Sequence, residues 1–142
     1  MNYSVMTTEQ LETLQASIEE KLNKYVGMSF MSSRSELVSY EIASVDSEEI
    51  FINANHYFKG IIRDYTVDIV GGVQDDVDYN HYNEDGYLVD GGYMSFNRLP
   101  KDVRNAVLEI YTLYIELGKI DNILDTRSEE EEEEVDNLKK LC

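Results

Sequence analysis

One cysteine, one proline and two histidines in 142 residues are the first features of this chain, and each shortage excludes something. With Cys142 as its only thiol, no intrachain disulfide can form, so the fold rests on its core and nothing points to an oxidising compartment. His56 and His81 are too few for a histidine- or cysteine-rich metal site, and no His-Glu-x-x-His pair occurs. His56, in Asn-Ala-Asn-His-Tyr-Phe, reads as a hydrogen-bonded structural residue. Basic residues are scarce as well: 12 Lys and Arg stand against 29 Asp and Glu, for a net charge of −17. That balance argues against direct binding of nucleic acid or anionic lipid, both of which need positive surface, and favours a basic partner or simply high solubility.

Motifs of catalysis and cofactor binding are missing too. There is no Gly-x-Ser-x-Gly elbow, no Gly-x-x-x-x-Gly-Lys loop and no Gly-x-Gly-x-x-Gly turn; Gly71-Gly72 and Gly91-Gly92 are isolated pairs that read as turns. Carboxylates are plentiful, but acid–base catalysis also needs a pocket and a shifted pKa, so the chain is read as a non-enzyme without a cofactor. Asp76-Val77-Asp78-Tyr79-Asn80 alternates oxygen ligands like the start of an EF-hand loop. His81 stands where that loop needs Gly, and Tyr87 where it needs Glu, so no metal site is assigned. The start, Met-Asn-Tyr-Ser-Val-Met, lacks the basic and apolar segments of a secretory signal, and no stretch is suited to span a bilayer; a cytoplasmic protein without membrane contact is expected.

What is present begins with Leu99 to Gly118, a segment apolar around most of a helical wheel. Asn105, Glu109, Thr112 and Glu116 form its narrow polar stripe. Pro100 suits a first helical position and Gly118 a left-handed cap, predicting a core helix over 100–117 that could also meet a second copy in a homodimer. Upstream, Thr7 and Gln10 form a capping box for a helix over 8–26, with Leu11, Leu14, Ile18, Leu22 and Tyr25 on one face and Gly27 as the stop.

From Met28 the period shifts from 3.6 to 2. Residues 36–45 and 49–54 read as a hairpin turning at Asp46-Ser47, and 61–70 as a strand with Tyr65, Val67 and Ile69 on one face and Asp64, Thr66 and Asp68 on the other. Turn signals at Asn83–Gly86 and Asp90–Gly92 divide the stretch that follows. Ser128 with Glu131 opens a short acidic helix or partly disordered tail. A helix, a run of strands, then helices argue for an α+β fold: a single domain over 1–127 with an antiparallel sheet of about four to six strands, and a terminal segment 128–142.

The charge is unevenly placed. Over 61–97 there are eight acids and one base, and over 128–142 seven acids and two bases, while 98–127 is neutral. Asp64, Asp68, Asp75, Asp76, Asp78, Glu84, Asp85 and Asp90 are interleaved with Tyr65, Tyr79, Tyr82, Tyr87 and Tyr93, and no Lys or Arg lies between Asp64 and Asn97. On strands, alternate residues of one face sit roughly 6.6 Å apart, so this stretch displays rows of carboxylates, with tyrosines adding flat amphipathic contact area. The predicted partner-binding residues are those eight acids with Tyr79, Tyr82 and Tyr87.

In overall character, small, acidic, single-domain and without catalytic motifs, the chain resembles the DNA-mimic inhibitors that phages use against restriction and CRISPR effectors. The resemblance implies occupation of a basic nucleic-acid channel in a nuclease or other DNA-binding protein, in the host cytoplasm. The chain also resembles bacterial immunity proteins and antitoxins, which would imply a basic toxin as partner. A third reading is an accessory interaction protein that uses its apolar helix face.

Overall fold

The computed structural model describes residues 2–31, 38–56 and 61–141. Helix α1 (Thr8–Tyr25) is followed by strands β1 (Ser29–Met31), β2 (Val38–Val45), β3 (Glu49–His56), β4 (Ile61–Asp68), β5 (Asp76–Tyr82) and β6 (Leu88–Ser95), and then by helix α2 (Lys101–Leu141). The strands form one six-stranded antiparallel sheet in the order β1-β2-β3-β4-β5-β6, a pure meander. The fold is α+β. Two compact units are distinguishable, one comprising Met1–Lys21 with Leu113–Cys142 and the other Leu22–Thr112.

The first unit is a helical pair. Thr7 N–H donates to Gln10 Oε1 at 2.9 Å and Gln10 N–H to Thr7 Oγ1 at 3.1 Å, which completes the expected capping box of α1. Gln15 Nε2 donates to Asp121 Oδ1 at 2.6 Å, and Arg127 donates to Thr8 Oγ1 at 3.1 Å and to the Met6 carbonyl at 2.7 Å, so this part of α2 runs antiparallel to α1. The Tyr3 hydroxyl donates to Glu116; that bond raises the Tyr3 phenol and lowers the Glu116 carboxyl from their ordinary values. Leu11, Ile18 and Ile120 are buried here.

These tethers account for a correction. The expected helix stop at Gly118 does not occur: α2 continues through it to Leu141, so the core helix and the acidic terminal helix are one element about 60 Å long. Gly118 is absent from the glycines with positive φ. A mid-helix glycine costs roughly 1 kcal/mol relative to alanine, which burial of Ile120 and the contacts of Asp121 and Arg127 outweigh. Nor is the apolar segment of α2 covered on all its apolar sides, since Leu108 and Ile115 are exposed.

The second unit holds the sheet. Gly27, at φ +88°, ends α1 as expected, and its N–H donates to the Ile42 carbonyl at 2.7 Å, leading the chain into β1. Asp46 Oδ1 accepts from the amides of Glu48 and Glu49, both at 2.8 Å, and closes the β2–β3 hairpin. Asn83 Oδ1 accepts from the amides of Asp85 and Tyr87 at 3.0 Å, and Gly86 takes φ +84°, making the β5–β6 turn. The second turn expected at Asp90-Gly91-Gly92 is instead the middle of β6, where Gly91 pairs with Asn80 and Gly92 with Tyr79. Once Asn83–Gly86 has reversed the chain, register carries those glycines along the ladder.

Candidate functional site

Residues paired across an antiparallel ladder share a face, so register sorts every side chain of the sheet. Ile42, Ile52, Tyr65, Tyr79 and Gly92 form one row across β2 to β6; Ile50 and Val67, and Val77 and Met94, pair on the same side. Ile42, Ile50, Ile52, Val67 and Val77 are fully buried, and in the same unit Val103, Ala106, Val107 and Ile110 form a buried stripe along α2.

The other face is acidic. Glu49 stands opposite Asp68; Ser44, Phe51, Thr66, Asp78 and Tyr93 form the next row; Glu41, Asn53, Asp64, Asn80 and Gly91 the next; Ser39, Asn55, Ile62, Tyr82 and Leu88 the last, with Asp76 opposite Ser95. Glu41, Glu49, Asp68, Asp76 and Asp78 are exposed, and no Lys or Arg lies on this face among the described residues. Among the carboxylates stand Ile62, 41% exposed, and Tyr93, 74% exposed.

Two of these acids are held in place. Asp64 Oδ1 accepts from Asn80 Nδ2 at 2.9 Å, and Asp64 also accepts from the Tyr82 hydroxyl, a bond that raises the Tyr82 phenol above its ordinary value. Asp68 Oδ1 accepts from the Val70 amide at 3.0 Å and shapes the Gly71-Gly72 turn. Asp76 and Asp78 are exposed, and among the described residues no side chain or amide hydrogen-bonds to either carboxylate.

The predicted contact set therefore divides. Asp64, Asp68, Asp76, Asp78 and Tyr82 lie together on the acidic face, and Glu84, Asp85 and Tyr87 sit at the exposed β5–β6 hairpin. Asp75 precedes β5, where its Oδ1 accepts from Ser95 Oγ at 3.0 Å. Tyr79 and Asp90 belong to the opposite face, joined by a 3.4 Å bond from the Tyr79 hydroxyl to Asp90 Oδ2. Tyr65, only 4% exposed, is core, its ring centroid 6.2 Å from that of Tyr40. In the other direction, Glu41 and Glu49 join the face from strands outside the acidic stretch; their polar positions in the alternation of β2 and β3 are the signal that marks them.

Asp76–Asn80 is extended strand, so its carboxylates point from a sheet and do not converge as in a calcium loop. Among the described residues no group of three His, Cys, Asp or Glu side chains is placed to hold a metal, and the side chain of His56 lies outside the described residues. A shallow pocket lined by Tyr25, Met28, Phe30, Asp102, Asn105, Ala106 and Glu109 lies beside β1. Burial, helped by a hydrogen bond to Glu109, pushes the Tyr25 phenol up to about 12. No described helix is long and apolar enough to cross a membrane. No family model, curated protein or solved structure matches the chain.

Proposed function

We propose that this chain is a non-enzymatic binding protein whose acidic sheet face occupies the nucleic-acid-binding surface of a basic partner, as DNA-mimic inhibitors of restriction or CRISPR effectors do. The carrying observation is the face itself: Glu41, Glu49, Asp64, Asp68, Asp76 and Asp78 lie across β2 to β5 with no cation among the described residues of that face. Like charges opposite one another destabilise a sheet, and Glu49 opposite Asp68 is such a pair. A face serving only solubility would intersperse both signs. Retaining one sign at a cost in stability supports a role in recognition.

The test is capture of a basic nucleic-acid-binding protein from cytoplasmic lysate, repeated with the Glu49→Lys/Asp76→Lys/Asp78→Lys variant and with competing double-stranded DNA. Charge chiefly sets encounter, so raising salt should slow association far more than it changes dissociation. DNA should displace the partner and the triple variant should lose it. Replacing Glu129–Glu134 by glutamine, which removes similar charge without tyrosines, should matter much less. A partner that the triple variant loses but DNA does not displace would favour an immunity protein or antitoxin. Binding indifferent to salt and to the triple variant would exclude the acidic face altogether.

A further inference from the structure

The sheet has two edges, and they are not equally protected. Among the described residues β1 has three, Ser29–Met31, whereas β6 runs from Leu88 to Ser95 as the last strand, with every residue from Leu88 to Tyr93 exposed. Edge strands are usually blunted by Lys, Pro, brevity or bulges. Here the register shifts only at the hairpin end, between His81 and Tyr82, and no Lys, Arg or Pro lies within 88–95.

The hydrogen bonds identify the open positions. Phe96 N–H donates to the Asp75 carbonyl at 2.7 Å, toward β5; in an antiparallel ladder the direction alternates, which turns the amides of Ser95, Tyr93 and Gly91 outward. Gly91 N–H is capped by Asp90 Oδ1 at 2.9 Å, as an outward amide would be. The Gly91-Gly92 pair leaves this strip bare of side chains, as where another backbone comes close.

We propose that the open edge of β6, from Gly91 to Ser95, takes up an extended basic segment of the partner protein as a seventh strand, an inference that rests on the basic partner argued above. Charge selects the occupant. Asp90 lies in β6, Asp76 and Asp78 pair with Ser95 and Tyr93, and Glu84 and Asp85 stand at the hairpin tip, so a second copy would bring the same acids together. On an added strand, outer-face Lys or Arg beside Tyr93 would lie roughly 10 Å, two strand spacings, from Asp78, within side-chain reach. Inner-face positions would meet Gly92 and Met94 and suit apolar residues. The recognised pattern is thus alternating basic and apolar.

The probe is a labelled peptide of about ten residues alternating Lys and Val, compared with the same peptide N-methylated at every Lys, which keeps charge and side chains but removes the donors that face β6 in an antiparallel seventh strand. The full chain should bind the unmethylated peptide about tenfold or more tightly, with slowed amide exchange at Tyr93 and Ser95. Tyr93→Pro, which removes an outward amide and no bond to β5, should abolish that difference while the melting temperature holds. Equal affinity for both peptides overturns strand addition. If that shared binding weakens with salt and with Glu49→Lys/Asp76→Lys/Asp78→Lys, the acidic-face reading survives; if polylysine also fails to bind, both readings fall. Self-association of the chain abolished by Tyr93→Pro would make a second copy the occupant and overturn the proposal.

Discussion

The two faces of the sheet are built from the same strands, residue by residue in alternation, yet they obey opposite rules. On one side Ile42, Ile52 and Tyr65 stand in a row and are buried; one position along, exposed Glu41 and half-buried Asn53 and Asp64 stand in a row on the other face. The apolar face is under selection to exclude water, which any well-packed set of similar volume achieves. Stability places no such demand on the acidic face and is even reduced by it, because Glu49 and Asp68 repel. What stability does not require, and weakly opposes, is the better guide to what the molecule does.

Truncation should separate the faces most sharply. Ile52 is fully buried, and Ile52→Ala should cost about 2–5 kcal/mol in denaturant unfolding. Its neighbour Asn53→Ala, on the acidic face, should change stability by less than about 0.5 kcal/mol. The same contrast applies along α2, between fully buried Ile110 and Leu108, 46% exposed. Equal costs at Ile52 and Asn53 would mean that both faces are covered, and the binding surface would have to be sought elsewhere.

A smaller effect of unusual sign is expected from charge. Glu49→Lys converts the like pair with Asp68 into an attractive one, so the variant should be more stable by roughly 0.2–1 kcal/mol while binding the partner less well. The gain should fade as salt rises toward 1 M, where screening acts within about 3 Å. A loss of stability at low salt would show that the carboxylates do not repel as argued.

Much of this was legible in the sequence because the signals were local. Thr7 with Gln10, Asp46 at its hairpin, Gly27 past α1 and the alternation of 64–69 each involve residues a few positions apart, and the structure uses each as expected. Gly118 and Gly91-Gly92 misled for the converse reason. A glycine signals a break only where nothing distant stabilises continuation, and here packing around Ile120 and the β5–β6 register both do. The acidic stretch was visible as composition, but its division between two faces depends on strand register. Register also brought in Glu41 and Glu49 from other strands and left Tyr79 and Asp90 behind.

The finest test compares one tyrosine from each face. Tyr40, on the apolar side, has its phenol raised chiefly by burial, with Tyr65 adding to the effect; Tyr82, on the acidic side, is raised chiefly by its hydrogen bond to Asp64. A phenol raised above its ordinary 10 stabilises the fold below pH 10, and that contribution is lost as pH climbs through the folded value. Both tyrosines therefore weaken the fold only in alkali, but for different reasons. Asp64→Asn removes the charge next to Tyr82 and leaves the surroundings of Tyr40 unchanged. In a tyrosinate titration followed by ultraviolet absorbance, with Tyr40→Phe and Tyr82→Phe as assignments, Asp64→Asn should move the Tyr82 step down toward 10 and leave the Tyr40 step in place. A joint shift would mean that the two faces are electrostatically coupled through the sheet; an unmoved Tyr82 would mean that Asp64 is not its partner in solution, leaving Asn80 as the side chain that holds the carboxylate.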